Sequence, residues 1–338
     1  MRPVVLRYPL FLADLLRLII RLNPRRALNY ALIFSGLWMS RLTGKVWVWG
    51  KPFAVSAESA SVCNLHCPEC MVGQGKTTRE RKHMDPLLFQ QILGHHRKHS
   101  FYTNLYFQGE PFLNPELPQM IGMASRLRYY TSVSTNGHFL TEKRCKEVIM
   151  KGLDRLIVSL DGLDQDTYAF YRVGGHWQKV VDGIATLSKT RKALGARNPL
   201  IVVQFLVNKK NEGQIPQLLD FARRQGADVM ELKTMQVYDE SGAHKFLPEN
   251  RRYNRYKNLN KPKVSRKGNG KSPCFRLWSH AVYTADGVLV PCCFDKLPEY
   301  PMGKIKGGDP WSSPSMNAFR EQVMKRRAEV GICSNCGQ

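Results

Sequence analysis

The chain has 338 residues, 43% of them hydrophobic, and a formal net charge of +24. This length and apolar content supply a core for one large α/β domain with a smaller appendage, and they exclude general disorder. Nine cysteines, six of them at positions 63, 67, 70, 292, 333 and 336 in short-spaced or cluster-like settings, exclude a disulfide scaffold and suit metal binding in a reducing cytoplasm.

The positive charge is concentrated. Residues 1–52 hold nine Lys/Arg against the single acid Asp14, and residues 244–271 hold ten against the single acid Glu249. Such patches attract phosphate-rich partners, an anionic membrane surface or nucleic acid, although a generally basic soluble protein has the same composition.

Residues 1–52 read as a basic amphipathic helical segment. In a first helix Phe11, Leu15, Leu18 and Leu22 fall on one face, with Asp14, Arg17 and Arg21 on the other. Pro24 breaks it, and a second helix runs from about Ala27 to Leu42. The longest uncharged run, Ala27 to Ser40, is shorter than the roughly 20 residues a bilayer span needs, and no secretory cleavage site follows. Leu-rich helices with arginines on the polar side suit the inner face of a membrane. The same pattern serves a cap on the following domain or a dimer contact. Every clustered cysteine lies beyond residue 60, so the segment is expected to be separable from the chemistry.

Next comes Cys63-Asn64-Leu65-His66-Cys67-Pro68-Glu69-Cys70, three cysteines spaced C-x3-C-x2-C. Three thiolates on one tight loop can hold three irons of a 4Fe–4S cluster and leave the fourth open to bind and reduce a small molecule. A zinc knuckle is the alternative, but structural zinc wants four ligands and usually paired C-x2-C spacing.

From residue 53 to 238, β-rich runs at 53–58, 104–108, 130–134, 155–160, 200–207 and 229–234 alternate with helical patterns near 85–98, 115–128, 141–151, 178–194 and 211–225. Six such units imply a parallel sheet with helices outside, curled by right-handed crossovers into a partial barrel. Chemistry in such folds sits at the C-terminal ends of the strands. Gly109-Glu110-Pro111, Ser134-Thr135-Asn136-Gly137 and Ser159-Leu160-Asp161-Gly162 all fall there. Residues 239–272 are polar and basic and read as a linker, with Tyr253 and Tyr256 as candidate RNA contacts. Residues 273–338 carry Cys274, Cys292, Cys293, Cys333 and Cys336, with a hairpin signal at Ala285-Asp286-Gly287.

The cysteine loop, Gly109-Glu110-Pro111, Ser134 to Gly137, Ser159 to Gly162 and Tyr171-Arg172, in this order, resemble the radical S-adenosylmethionine superfamily over roughly residues 53 to 338. The resemblance implies an α/β fold, a partial (β/α)6 barrel with a small C-terminal iron–sulfur domain of SPASM or twitch type. It implies S-adenosylmethionine as cofactor, cleaved reductively to a 5′-deoxyadenosyl radical that abstracts hydrogen from substrate. Cys63, Cys67 and Cys70 would bind the cluster. Gly109 and Glu110 would meet the cofactor's ammonium, with Gln108 in place of the family's usual first glycine. Ser134 and Asn136 would hold its methionine or ribose portion, Ser159 and Asp161 its ribose hydroxyls, and Arg172 its carboxylate. Glu69 stands where family members commonly have an aromatic residue near the adenine.

The C-terminal cysteines resemble the SPASM and twitch extensions, which implies one auxiliary 4Fe–4S cluster on Cys274, Cys292, Cys333 and Cys336, with a four-cysteine zinc site as the alternative. Cys293 adjoins a ligand, and Cys145 is a packed thiol. Asp295 is the one candidate acid or base. A flavodoxin or ferredoxin would supply the electron. The substrate stays open between a peptide or small metabolite, a lipid or lipid-linked molecule at the membrane, and RNA.

Overall fold

The structure, a computed structural model, describes residues 4–77, 79–237, 240–257, 265–267, 273–334 and 336. The chain divides into two compact units, Met1–Arg17 with Cys63–Thr77 and Ser132–Lys267, and Leu18–Val62 with Thr78–Thr131 and Gly268–Gln338.

The first unit is built on a run of parallel strands. β4 (Tyr130–Thr135), β5 (Arg155–Ser159), β6 (Leu200–Val207) and β7 (Val229–Thr234) pair in that order, with Val133 opposite Leu156, Ser159 opposite Gln204, and Phe205 opposite Leu232. β6 reads LIVVQFLV and is buried almost throughout, as a strand covered on both faces must be. A short β1 (Val4–Val5) closes the edge antiparallel to β7. Helices α5 (Glu142–Met150), α6 (Gln165–Tyr171), α7 (Trp177–Ala193) and α8 (Ile215–Arg224) alternate with these strands. Thr141 and Asp164 cap α5 and α6 by accepting from the amides of Arg144 and Thr167, so each helix begins where its turn residue stands.

The second unit holds β2 (Ala54–Ala57), β3 (Tyr102–Asn104), β10 (His280–Tyr283) and β11 (Leu289–Val290) in the order β3-β2-β10-β11. Helices α3 (Pro86–His96), α4 (Leu117–Arg126), α10 (Phe275–Ser279), α11 (Pro314–Arg326) and α12 (Gly331–Ser334) belong to it. β3 lies two residues earlier than its sequence signal, because Tyr102 to Asn104 take the register opposite Ala54 to Ser56 and the chain turns away from Leu105. The C-terminal segment is not a detached appendage, since β10 runs parallel to β2 with Ala281 opposite Val55. The β10–β11 turn carries Gly287 at φ 79°, and the fully buried Glu58 accepts from the Ala285 amide (2.9 Å) while chelated by Arg79 at 2.5 and 3.0 Å.

The N-terminal helices bury polar side chains and leave many large apolar ones exposed. In α1 (Tyr8–Ile20) Asp14 is buried and accepts from Arg155 at 2.7 Å, while Leu12, Leu15, Leu16, Ile19 and Ile20 are exposed. In α2 (Pro24–Thr43) the buried face consists of Arg26, Asn29, Ile33, Gly36, Leu37 and Ser40. Arg26 donates to the carbonyls of Arg21, Arg97 and Arg128, and Asn29 exchanges hydrogen bonds with the backbone of Lys51. A Cβ on Gly36 would stand 2.8 Å from the Trp47 carbonyl, so only glycine lets the returning chain pack there. Trp278 donates from its indole to that carbonyl (2.7 Å), and Lys51 pairs with Asp309 at 2.7 Å. Residues 18–52 therefore pack into the second unit, which weighs against the expectation that residues 1–52 are separable from the chemistry. No helix among the described residues is long and apolar enough to cross a membrane.

Much of the 239–272 segment, expected as a linker, lies outside the described residues. Within the described part, α9 (Glu240–Phe246) packs Ala243, Phe246 and Leu247 into an apolar cluster, and β8 (Tyr256–Lys257) pairs with β9 (Ser265–Arg266). Tyr256 is buried with its hydroxyl between the Val237 amide and carbonyl, so its ring is not offered to a nucleic acid base.

Two buried histidines make the second unit acid-sensitive. Burial, with a further contribution from His95, lowers His96 to about 3, and burial with Arg276 lowers His280 to about 4. His96 contacts the Tyr283 hydroxyl at 2.8 Å. Because the unfolded chain protonates both near pH 6.5, it binds more protons than the folded protein below that value. The stability these two groups contribute is therefore expected to be full above pH 6.5 and to fall as pH drops toward 3. We expect His96→Gln, which keeps a partner for Tyr283, to reduce the loss of thermal stability between pH 7 and pH 5. An unchanged pH slope in paired melting curves would refute this.

Candidate functional site

Within the first unit, the loop from Cys63 to Cys70 lies against an apolar wall. Leu65 and Cys67 belong to a buried cluster with Tyr171, Met235, Val237, Phe246 and Leu247, and Cys63 and Cys70 border the same cluster. The His66 amide donates to the Val173 carbonyl (2.9 Å), and the Cys70 amide closes a turn on Cys67 at 3.2 Å. A Cβ on Gly73 would sit 2.6 Å from the Cys67 amide nitrogen, so glycine there lets the following turn fold back on the loop. Burial pushes the Cys67 thiol up, and Arg172 pulls the other way.

Three of the residues singled out in sequence, Asn136, Asp161 and Arg172, meet this loop in two connected sets. The Asn136 side-chain amide donates to Asn64 at 2.8 Å and lies 3.9 Å from Cys63 Sγ. Arg172 donates from Nε to Asp161 at 2.5 Å, and its Nη1 lies 3.9 Å from Cys67 Sγ. Burial disfavours the guanidinium's charge, but Asp161 and then Cys67 more than restore it, so Arg172 stays protonated. Asp161 is fully buried, and its second oxygen accepts from the Leu206 amide at 2.7 Å. Asn211 holds the Asp161 carbonyl at 2.8 Å. The Asp161 carboxylate thus already has two protein donors, which differs from the expected role of accepting ribose hydroxyls. Ser134, one residue before the end of β4, lies opposite Ile157, and Ser159 ends β5 opposite Gln204; neither hydroxyl has a hydrogen-bond partner among the described residues.

Sequence reading passed over His138. Its Nδ1 and its backbone amide both reach Asn136 Oδ1 at 3.1 Å, and its Nε2 accepts from the His176 amide at 2.8 Å. Accepting at Nε2 makes the ring neutral with its proton on Nδ1, and burial lowers its pKa, in agreement. The histidine thereby fixes which way the Asn136 amide points, with its NH2 toward Asn64 and Cys63. The signal was its position two residues past Asn136, where a side chain can return to the preceding turn. We expect His138→Ala to keep the iron content and weaken cofactor binding about fivefold to tenfold, in line with about 1 kcal/mol for a neutral hydrogen bond. Isothermal titration of the iron-loaded protein checks it.

In the second unit, Gly109 takes φ 66°, and a Cβ there would lie 2.3 Å from the Ala60 carbonyl and 2.7 Å from that of Val62. The Glu110 amide donates to the Val62 carbonyl at 2.7 Å, next to the start of the cysteine loop, and its carboxylate caps the turn at Phe112. Glu69 is buried.

The C-terminal thiols share one neighbourhood. Burial, then Cys293, Cys274 and Cys333, raise the Cys292 thiol well above its usual range. Burial raises Cys333 to about 11, with Cys336 and Cys274 adding and Arg327 opposing. The Cys336 amide closes on the Cys333 carbonyl at 3.1 Å, the same C-x2-C turn as at Cys67 and Cys70. Cys293 belongs to the same group, with Cys336 adding to the effect of burial on its thiol, and Arg276 lies 3.4 Å from its sulfur. Asp295 is buried and caps a turn through the amides of Glu299 and Tyr300 (2.8 and 3.1 Å), a structural engagement rather than that of an open acid or base. Cys145 is packed, with burial raising its thiol to about 12.

Sequence models of known families match both regions: the radical SAM superfamily over residues 58–222 and the iron–sulfur cluster-binding SPASM domain over residues 274–337. The chain carries a radical SAM domain and a SPASM domain. Among curated relatives of this radical SAM chain, the tungsten-containing aldehyde ferredoxin oxidoreductase cofactor-modifying protein of Pyrococcus furiosus is 32% identical over 177 residues, 51% of this chain and 49% of that protein. PqqA peptide cyclase of Streptomyces rochei is 29% identical over 189 residues, 56% and 50%. The aligned stretch spans about half the length of these relatives. Among solved structures, Streptococcus suis SuiB bound to S-adenosylmethionine superposes with a TM-score of 0.61 at 12% identity, over 90% of this chain and 75% of that one. BtrN in complex with AdoMet and 2-DOIA gives 0.52 at 20% identity, over 85% and 94%. The fold is that of the radical SAM partial barrel, and these two domains bring S-adenosylmethionine and iron–sulfur clusters as cofactors.

The donor sets fit such clusters. Among the described residues no three His, Cys, Asp or Glu side chains close on a single metal-ion position. A four-iron cage asks instead for soft thiolates each facing its own iron, against a wall that excludes water.

Proposed function

We propose that this chain cleaves S-adenosylmethionine reductively and oxidises a peptide substrate by hydrogen-atom abstraction. The observation that carries it is the three-cysteine loop set on an apolar wall, with the protonated Arg172 beside Cys67. Cys63, Cys67 and Cys70 would hold the open cluster, and Cys274, Cys292, Cys333 and Cys336 a second, fully ligated one. The first cluster and its cofactor supply a 5′-deoxyadenosyl radical when reduced. Arg172 offers the cofactor carboxylate a planar fork, and Asp161 orients that fork. Asn136, held by His138, keeps an amide donor beside Cys63. Ser134 and Ser159 offer hydroxyls at the strand ends, and Glu110 offers a carboxylate for the cofactor's ammonium. The apolar wall keeps water from competing for the radical.

A peptide substrate is favoured by the likeness to PqqA peptide cyclase. Abstraction and loss of one further electron and proton leave the peptide two hydrogens lighter. Cys274, Cys292, Cys333 and Cys336 would hold a cluster able to take up an electron, and a flavodoxin or ferredoxin would be a fitting donor for the first. The test is anaerobic incubation of the iron-loaded protein with reductant, S-adenosylmethionine and cell extract in deuterated water. We expect 5′-deoxyadenosine together with a peptide lighter by two hydrogens. A change confined to a small metabolite, a lipid or RNA would overturn the peptide assignment, and an absence of 5′-deoxyadenosine would overturn the reaction itself.

A further inference from the structure

The outward face of α2 carries Leu28, Phe34, Trp38 and Leu42, while its inward face mixes Ile33 and Leu37 with Arg26, Asn29 and Ser40. Leu28, Trp38 and Leu42 are 62%, 60% and 62% exposed, and Phe34 45%. Trp47 and Trp49 follow on the returning chain, also exposed. An ordinary surface helix keeps its large apolar side chains on the core side and leaves the outer face polar, so this second, exposed apolar stripe stands out. The inward polar groups are each bound to backbone partners, so this is the settled orientation of the helix rather than a misplaced register. Beside the exposed stripe opens a pocket of about 490 Å³ lined by Phe34, Ser35, Leu37, Trp38, Arg41 and Phe275.

The charges on this stretch have one sign. Between residues 18 and 52 there is no Asp or Glu, while Arg25, Arg41 and Lys45 are exposed. A second copy of the chain would set these cations against their own kind. An anionic bilayer satisfies both halves of the surface: acyl chains cover Leu28, Trp38 and Leu42, phosphates meet the cations, and indoles sit at the headgroup level.

We propose that α2 and the returning segment through Trp49 form a docking face for an anionic membrane surface, with one acyl chain entering the pocket at Trp38 and its phosphate on Arg41. α1, with Leu12, Leu16 and Ile19 outward, has the same exposed apolar stripe. This goes beyond the reaction proposed above and does not depend on it.

The test is flotation of the full iron-loaded chain with vesicles of phosphatidylcholine alone and with 30% phosphatidylglycerol, at low and high salt. Binding is expected only to the anionic vesicles and should fall steeply with salt. Leu28→Ser/Trp38→Ser/Leu42→Ser and, separately, Arg25→Gln/Arg41→Gln/Lys45→Gln should each lower partition at least about tenfold with iron content unchanged. As a second measurement, brominated phosphatidylglycerol should quench the intact protein's tryptophan emission, and less so in Trp38→Phe. Failure of the intact protein to float, equal binding to neutral vesicles, or loss of a concentration-dependent dimer in the apolar variant would each overturn the assignment. The last outcome would make the face a protein interface.

Discussion

Replacing Cys63, Cys67 and Cys70 with alanine is expected to remove about half of the protein's iron and all formation of 5′-deoxyadenosine. The intact chain should hold about eight irons after anaerobic loading, four on each cysteine set. The remaining half should keep the absorption of a fully ligated cluster, because Cys274, Cys292, Cys333 and Cys336 belong to a different compact unit from the loop. The reciprocal variant, with those four changed to alanine, should retain cofactor binding, since the open iron remains. Its fold is the more vulnerable of the two, because Cys274, Cys292 and Cys336 are buried whereas Cys63 and Cys70 are only partly so. Iron near four per chain in the intact protein, with one tightly bound zinc, would overturn the auxiliary cluster and leave the loop assignment standing.

The cysteine loop and the strand–helix alternation were legible because both are local. Spacing fixes which thiols share a turn, and runs such as LIVVQFLV declare a strand wherever they occur. The exposed apolar stripe of α1 and α2 was not legible, because periodicity gives two faces and does not say which one is covered. Asp14 looked like a solvated charge until Arg155, 141 positions later in the chain, came to lie 2.7 Å away. The union of β10 with β2 was hidden for the same reason, since a parallel partner is set by topology and not by either strand's own residues. Asp161 shows the limit at the site itself. Its place at the end of β5 marked it as functional, but only the contacts from Arg172 and the Leu206 amide show what its two oxygens hold.

Asp161→Asn is expected to keep both clusters and weaken S-adenosylmethionine binding by one to two decades, or about 1.5–3 kcal/mol, the range for losing a charge-assisted contact. Asparagine can still accept from Leu206 and donates where Arg172 needs an acceptor, so the fold is retained and the guanidinium is released. Arg172→Ala is the harsher change. It strips the partner from a fully buried carboxylate, and removing one member of a buried pair commonly costs about 3–5 kcal/mol of stability. Arg172→Gln spares part of that cost and removes the fork. The two sites can then be compared in a double-mutant cycle read on cofactor affinity. If Asp161 acts by holding Arg172, Asp161→Asn/Arg172→Gln binds no more weakly than Arg172→Gln alone. If Asp161 instead binds the cofactor's ribose directly, the two losses add, because independent contacts contribute separately. Additive losses would therefore return Asp161 to the ribose and require a rearranged carboxylate in the bound state. Non-additive losses would make the buried pair one unit whose purpose is the aim of Arg172 at the Cys67 edge of the loop.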